Sequence, residues 1–304
     1  MRAPSPTRSS VPSAIVCPDW WSLEPIKEGG RAVPAGAWSL GGARVRFIHD
    51  WIEGIGKGVL GFIGGLGGVM TLFAQVLAWA VRPPYRVWNL LVQMDEVGVG
   101  SLFIVLLTGT FTGMVFSEQS NYAFGLFGAE GLTGPTVTLS LTRELAPVLT
   151  ALMVTGRNGS AMTTELGTMR VSEQIDALVT MAVNPIQYLV VPRVLAATVM
   201  VPALTMVFNV VGIFGSYLVT VILGEQSAGT FIEGTRYRVD PEDVWSGFIK
   251  AIVFGLVISL ISCFKGFYAT GGSKGVGKAT TEAVVISSVA IFVLDYFLTL
   301  LLLL

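Results

Sequence analysis

The sequence predicts an all-α integral membrane protein with five transmembrane helices behind an N-terminal interfacial or re-entrant helical segment. Three observations carry this expectation: an apolar excess, apolar runs of membrane-crossing length, and an uneven distribution of Lys and Arg between those runs. Of 304 residues, 52% are apolar and only 13% charged, and the mean hydropathy is +0.70. A water-soluble globule of this size needs more polar surface than that. The 19 basic residues are matched by 20 acidic ones, so no nucleic-acid partner is expected, which would call for a clustered excess of Lys and Arg.

Residues 1–46 are rich in Pro, Ser, Gly and Arg and show no sustained apolar period. They cannot bury enough surface to offset the entropy of ordering and read as a flexible tail. No apolar core follows Arg2 and Arg8, so a secretory signal is not expected, and the tryptophans and acids of the tail fit a transit peptide poorly.

Apolar stretches near 59–81, 98–117, 136–156, 186–223, 244–264 and 283–304 each reach or approach the ~20 residues that cross ~30 Å of hydrocarbon. The first has Arg44, Arg46 and Lys57 before it and Arg82 and Arg86 after it, so both flanks favour the same side of the membrane. Its glycines weaken a straight helix, while Trp79, Tyr85 and Trp88 suit a membrane interface. Segment 47–95 therefore reads as interfacial or re-entrant, and 96–304 as a transmembrane domain of five spans. The stretch at 186–223 is overlong for one crossing, with Pro192 and Pro202 marking kinks or a lead-in along the interface.

The loop near 118–135 lacks Lys and Arg, whereas 157–185 carries Arg157 and Arg170, and 265–282 carries Lys265, Lys274 and Lys278. This places the N-terminus in the cytoplasm and the C-terminus outside. Arg236 and Arg238 in the outer 224–243 loop run against the rule.

Few residues offer chemistry. His49 is the only histidine, and Cys17 and Cys263 lie in unrelated contexts, so no metal site, triad or cofactor site is expected. Gly272 to Thr280 approaches a phosphate-binding loop, but Ala279 stands where Ser or Thr must hold magnesium, and an apolar span precedes it instead of a strand. It reads as a flexible turn whose lysines face anionic headgroups.

Ionisable residues in or beside the spans are Arg143, Glu144, Glu165, Lys250 and Asp295. Such groups face a partner, a bundle interior or a wet cavity; for Lys250 the alternative is snorkelling from a helix end. Arg143 and Glu144 point about 100° apart on a helix, so each is expected to seek another partner. For Glu144 and Asp295, a place in a transport path and plain structural pairing both stay open.

Segment 172–184 reads as a short amphipathic helix. Ser172 is a candidate cap, Glu173, Gln174 and Asp176 favour its positive end, Pro185 stops it, and Ile175, Leu178, Val179 and Ala182 recur on one face. Periodicity alone fits equally a helix docked in the groove of a soluble partner and one lying on the membrane.

Together, Leu141-Thr-Arg143-Glu144-Leu-Ala-Pro147, Gly156-Arg157-Asn-Gly159-Ser160-Ala161, Glu165-Leu-Gly167-Thr-Met169-Arg170, Glu173-Gln174-Ile-Asp176, Asn184-Pro185, Pro192-Arg193 and Leu294-Asp295 resemble the MlaE-type permeases of ABC transporters that work with MCE proteins. The resemblance covers about 47–304, and Asn158 stands where Val or Ala is expected. It implies a homodimeric, non-catalytic permease for phospholipids or related lipids, two cytoplasmic ATPase subunits that hydrolyse ATP, and an MCE-domain protein on the outer side. A bacterial inner membrane is the expected location, since the tail suits organelle import poorly. Carried over, Arg143, Glu144 and Asp295 belong to the substrate path, and Glu165, Arg170, Glu173, Gln174 and Asp176 to the ATPase-coupling region. A rival reading is an ion- or proton-coupled secondary transporter or channel using Glu144 and Asp295; it predicts two related halves, and no internal repeat is present. An intramembrane enzyme ranks last for want of a catalytic cluster.

Overall fold

The computed structural model describes residue 60, residues 64–83 and residues 87–303; the tail read at 1–46 lies outside the described residues. Among the described residues there is no strand. Helix α1 (Gly64–Ala80) is followed by α2 (Val87–Gly125), α3 (Glu130–Val171), a short α4 (Gln174–Thr180) and α5 (Ile186–Leu223). Then come α6 (Ala228–Arg238), α7 (Pro241–Phe267) and α8 (Gly272–Leu303). Five of these, α2, α3, α5, α7 and α8, are long and apolar enough to cross a membrane.

At 17 residues, α1 extends only about 25 Å, short of a perpendicular crossing. Its Leu72 and Val76 are buried against Leu166, Leu189, Val190, Val194, Leu260 and Phe264. Pro83 follows its end, and α2 begins by Val87, inside the segment that hydropathy grouped as 47–95. No proline interrupts residues 87–125, so the helix extends past its most apolar stretch.

The inner helix is α7, buried over 67% of its most apolar window against 22% for α2 and 11% for α8. It packs on α3, α5 and α8, while α2 lies along α5. Phe103 and Phe111 of α2 and Val289, Phe292 and Phe297 of α8 stay exposed, as apolar faces do when lipid or another membrane protein covers them.

Lipid tails are as apolar as leucine, so hydrophobic burial alone does not hold such helices together; close packing and interhelical hydrogen bonds do. The seam between α2 and α5 uses both. The Gly113 backbone lies directly against that of Gly212, and Gly215 lies against the Thr110 carbonyl. Further along, the Ser117 and Thr220 hydroxyls meet at 2.5 Å with Ser216 3.2 Å from Ser117, and Gln226 donates to Asn121 at 2.9 Å.

Four expectations need correction. The 224–243 region is not a plain loop: α6 occupies Ala228–Arg238, anchored by buried Phe231 edge-on to Tyr217 at 5.5 Å. The P-loop-like run is not a turn but the first coils of α8, entered through Gly271 and Gly272 at φ 90° and 67°, conformations that glycine adopts without a Cβ clash. The apolar stretch at 136–156 is only the middle of its helix, because α3 runs on to Val171. Finally, the short helix spans Gln174–Thr180 rather than 172–184, and Ser172 does not cap it. The Ser172 hydroxyl instead bonds back to the Thr168 carbonyl at 2.8 Å, the local competition open to serine at a helix end.

The α2–α5 seam yields a direct test. Gly113→Val forces a side chain into the Gly212 backbone and is expected to cost about 1–3 kcal/mol, seen as a lower Tm in detergent. Gly277→Ala, where a methyl group meets nothing within 4 Å, is expected to be neutral or stabilising by up to about 1 kcal/mol.

Candidate functional site

Towards the Glu130 end of the bundle, three helices bring charged groups together inside the apolar region. Glu144 lies in a widened π-helical turn of α3, Leu141–Leu145. Pro147 causes that widening: it has no N–H to give the Arg143 carbonyl, and its ring clashes with that carbonyl in a regular helix. Lys250 comes from α7 and is only 1% exposed. Its ammonium donates to Glu144 Oε2 at 2.5 Å and to Thr299 Oγ1 at 2.7 Å. Asp295 Oδ1 lies 3.2 Å away, an ion-pair distance off the hydrogen-bond axis. The Thr299 hydroxyl faces the Asp295 carbonyl at 2.8 Å and both Glu144 oxygens at 3.3 Å.

Two carboxylates around one ammonium leave one formal negative charge. The carboxylates also keep the more open positions, with 39% of the Glu144 side chain and 22% of the Asp295 side chain exposed against 2% for Lys250. The group therefore presents hydrogen-bond acceptors outward and keeps its cation inside. Lys250 does not snorkel, since its ammonium is consumed within the bundle.

Arg143 and Glu144 take separate partners. The Arg143 guanidinium lies 3.5 Å from Asp243, which is itself held in the capping box of α7, accepting from the Asp240 N–H at 3.0 Å. Asn158 donates to the Val97 carbonyl at 3.1 Å and to Ser101 Oγ at 2.7 Å, so the amide where an apolar residue was expected ties α3 to α2. Arg157 reaches the same Ser101 at 3.3 Å.

At the opposite end, α4 joins α3 to α5. It is bracketed by two non-glycine residues in the left-handed region, Glu173 and Ala182, both at φ 59°, a conformation that costs about 1–2 kcal/mol for an L residue. Ile175, 1% exposed, packs into the apolar group around Leu166, Leu189 and Val190. Of the predicted apolar stripe, Leu178 is half-buried while Val179 and Ala182 are exposed. Glu173, Gln174 and Asp176 face outward. Arg170 pairs with Asp176 at 2.7 Å with both side chains well exposed, a surface bridge worth at most about 1 kcal/mol. Glu165, itself exposed, lies against the buried Arg193 at 2.8 Å, and Glu96 stands within side-chain reach of it. Asn184 caps the start of α5, accepting from the Ile186 N–H at 3.0 Å.

Sequence reasoning did not place Lys250, Thr299, Asp243 or Arg193 in either site. The available signal was charge counting: carboxylates within apolar spans, Glu144 and Asp295, require a nearby base, and Lys250 is the lysine inside the 244–264 apolar run.

Comparison with known proteins gives a consistent result. The family model described as "Permease MlaE" matches residues 90–301. A probable ABC transporter permease protein of Rickettsia felis is 42% identical over 245 residues, 81% of this chain and 95% of that protein. The intermembrane phospholipid transport system permease protein MlaE of Haemophilus influenzae is 38% identical over 255 residues, covering 83% and 97% of the two chains. The chloroplastic protein TRIGALACTOSYLDIACYLGLYCEROL 1 of Arabidopsis thaliana is 43% identical over 231 residues, 76% of this chain and 66% of that protein.

The charged group can be tested by removing its cation. Lys250→Met leaves Glu144 and Asp295 without compensation and is expected to destabilise the protein by about 3–5 kcal/mol, read as a lower Tm in detergent. Combining it with Glu144→Gln and Asp295→Asn is expected to restore part of the loss; a single variant as stable as wild type contradicts this account.

Proposed function

Because this chain belongs to the MlaE permease family, we propose that it is the membrane-spanning subunit of an ABC transporter that moves phospholipids or related lipids. The observation that carries this reading is the family match over 90–301 on a bundle with five membrane-length helices. Two copies of the chain would form the permease, with a separate cytoplasmic ATPase on each and an MCE-domain protein on the outer face. The location that fits is a bacterial inner membrane.

Charge asymmetry supports an orientation with the N-terminus in the cytoplasm. Arg82, Arg170, Lys265, Lys274 and Lys278 lie at one end of the bundle, and Arg236 and Arg238 at the other, so the excess marks the α4 end as the inner one. In that orientation α4 is the coupling helix. Its outward Glu173, Gln174 and Asp176, with Arg170, would meet the ATPase, while Ile175 seats it on the permease. Glu144 and Asp295, with Arg143 beside them, would lie in the outer half of the lipid path. Their outward acceptors suit the polar part of a lipid as it leaves or enters the bilayer. ATP hydrolysis takes place on the partner subunit, and the permease converts movement at α4 into opening and closing of the path.

Reconstitution tests this reading. Vesicles holding the permease, its ATPase and an MCE acceptor are expected to transfer fluorescent phospholipid only with ATP. Glu173→Lys with Asp176→Lys reverses the charge of the α4 face and is expected to lower that transfer by about tenfold or more without a change in permease Tm. Transfer that needs no ATPase would rule the assignment out.

A further inference from the structure

We propose that Arg193 is a positioning residue that fixes the two spans flanking α4 to each other, so that a push on α4 reaches α3 and α5 together. This rests on the coupling reading of α4.

The covalent links around α4 are not regular helix. Both pass through a residue in the left-handed region, Glu173 on one side and Ala182 on the other, and α5 opens with a π-helical turn, Ile186–Val190. The proline that follows this turn, Pro192, withholds the N–H a regular helix needs. A load on α4 could therefore be absorbed by rotation at these points before it reached the spans.

Arg193 bridges them. One guanidinium nitrogen donates to the Leu189 carbonyl at 2.9 Å, spanning the end of the π turn, and another reaches Glu165 of α3 at 2.8 Å. Beneath the bridge, Ile175 of α4 shares one apolar group with Leu166 of α3 and with Leu189, Val190 and Val194 of α5. Gln187 donates to the Arg82 carbonyl at 2.9 Å and so joins the end of α1 to the same body.

Stability alone does not explain this arrangement. Arg193 is 7% exposed, and its Nε has no hydrogen-bond partner among the described residues. Desolvating a guanidinium that is incompletely satisfied is unfavourable, and an apolar side chain of similar size would pack at least as well. An apolar side chain would not hold α3 to α5 at one fixed distance and angle, which the planar, forked guanidinium does.

The test uses the whole complex of permease, ATPase and MCE acceptor in vesicles, scored as phospholipid moved per ATP hydrolysed. Arg193→Met is expected to lower this ratio about tenfold while hydrolysis stays within about twofold of wild type. Arg193→Lys keeps the charge but replaces the planar fork with a single nitrogen on a flexible stem, and is expected to give an intermediate ratio. Glu165→Gln is expected to lower the ratio as Arg193→Met does, with no further loss when the two are combined. Should Arg193→Met fail to assemble, the Lys and Gln variants decide the matter. A wild-type ratio in both, or a loss of hydrolysis in parallel with transfer, overturns the proposal. A wild-type complex that moves no lipid on ATP overturns the lipid-transport reading and this proposal with it; normal wild-type coupling with unaffected variants overturns the proposal alone.

Discussion

An ammonium group on a residue only 1% exposed must find all of its partners inside the protein. Lys250 finds Glu144 on α3 and Thr299 and Asp295 on α8, so one side chain sets the depth and rotation of two neighbouring helices against α7. Asp295 and Thr299 are four residues apart and share a helix face. A slip of α8 by one residue would turn both away by about 100° and leave Glu144 of α3 as the ammonium's remaining partner. The glycine and hydroxyl seam gives α2 and α5 a comparable constraint by a different means. Backbones there approach too closely for any other register, and each hydroxyl is satisfied by another hydroxyl or a carbonyl across the gap.

Helix α3 belongs to both sites. Glu144 and Glu165 are carried on it, about 31 Å apart along its axis, one meeting a buried lysine and the other a buried arginine. Between them, Asn158 fastens α3 to α2 at the Val97 carbonyl. The charged group around Lys250 and the α4 end are thus joined by a continuous helix with a fixed point near its middle. That geometry suits a lever better than a sliding rod.

Much of this architecture is legible in the chain itself, because membrane length and the bias of Lys and Arg act on whole segments. The five spans follow from these two signals, and the divergent partners of Arg143 and Glu144 from the step of about 100° per residue in a helix. Other features escape because they depend on tertiary neighbours. Lys250 reads equally well as a snorkelling residue until α3 and α8 bring carboxylates to it. Ser172 has the chemistry of a cap, yet its hydroxyl finds the Thr168 carbonyl of its own helix first. Helix α6 mixes Arg, Glu, Gly and Thr with few apolar residues, so no periodicity stands out; what fixes it is Phe231 packed on Tyr217. The outward position of Val179 has the same cause, since α3 and α5 cover Ile175 and only part of Leu178.

The widened turns at Leu141–Leu145, Thr155–Gly159, Ile186–Val190 and Leu218–Leu223 bear on how such a chain can change over generations. Each accommodates one residue more than a regular coil requires, and each places the surplus where a single-codon gain or loss is absorbed locally. Elsewhere in these spans the same event would rotate every following side chain by about 100° and scramble the faces that meet neighbouring helices. Length variation within the spans should therefore gather at these four turns, leaving the polar groups on either side in their places.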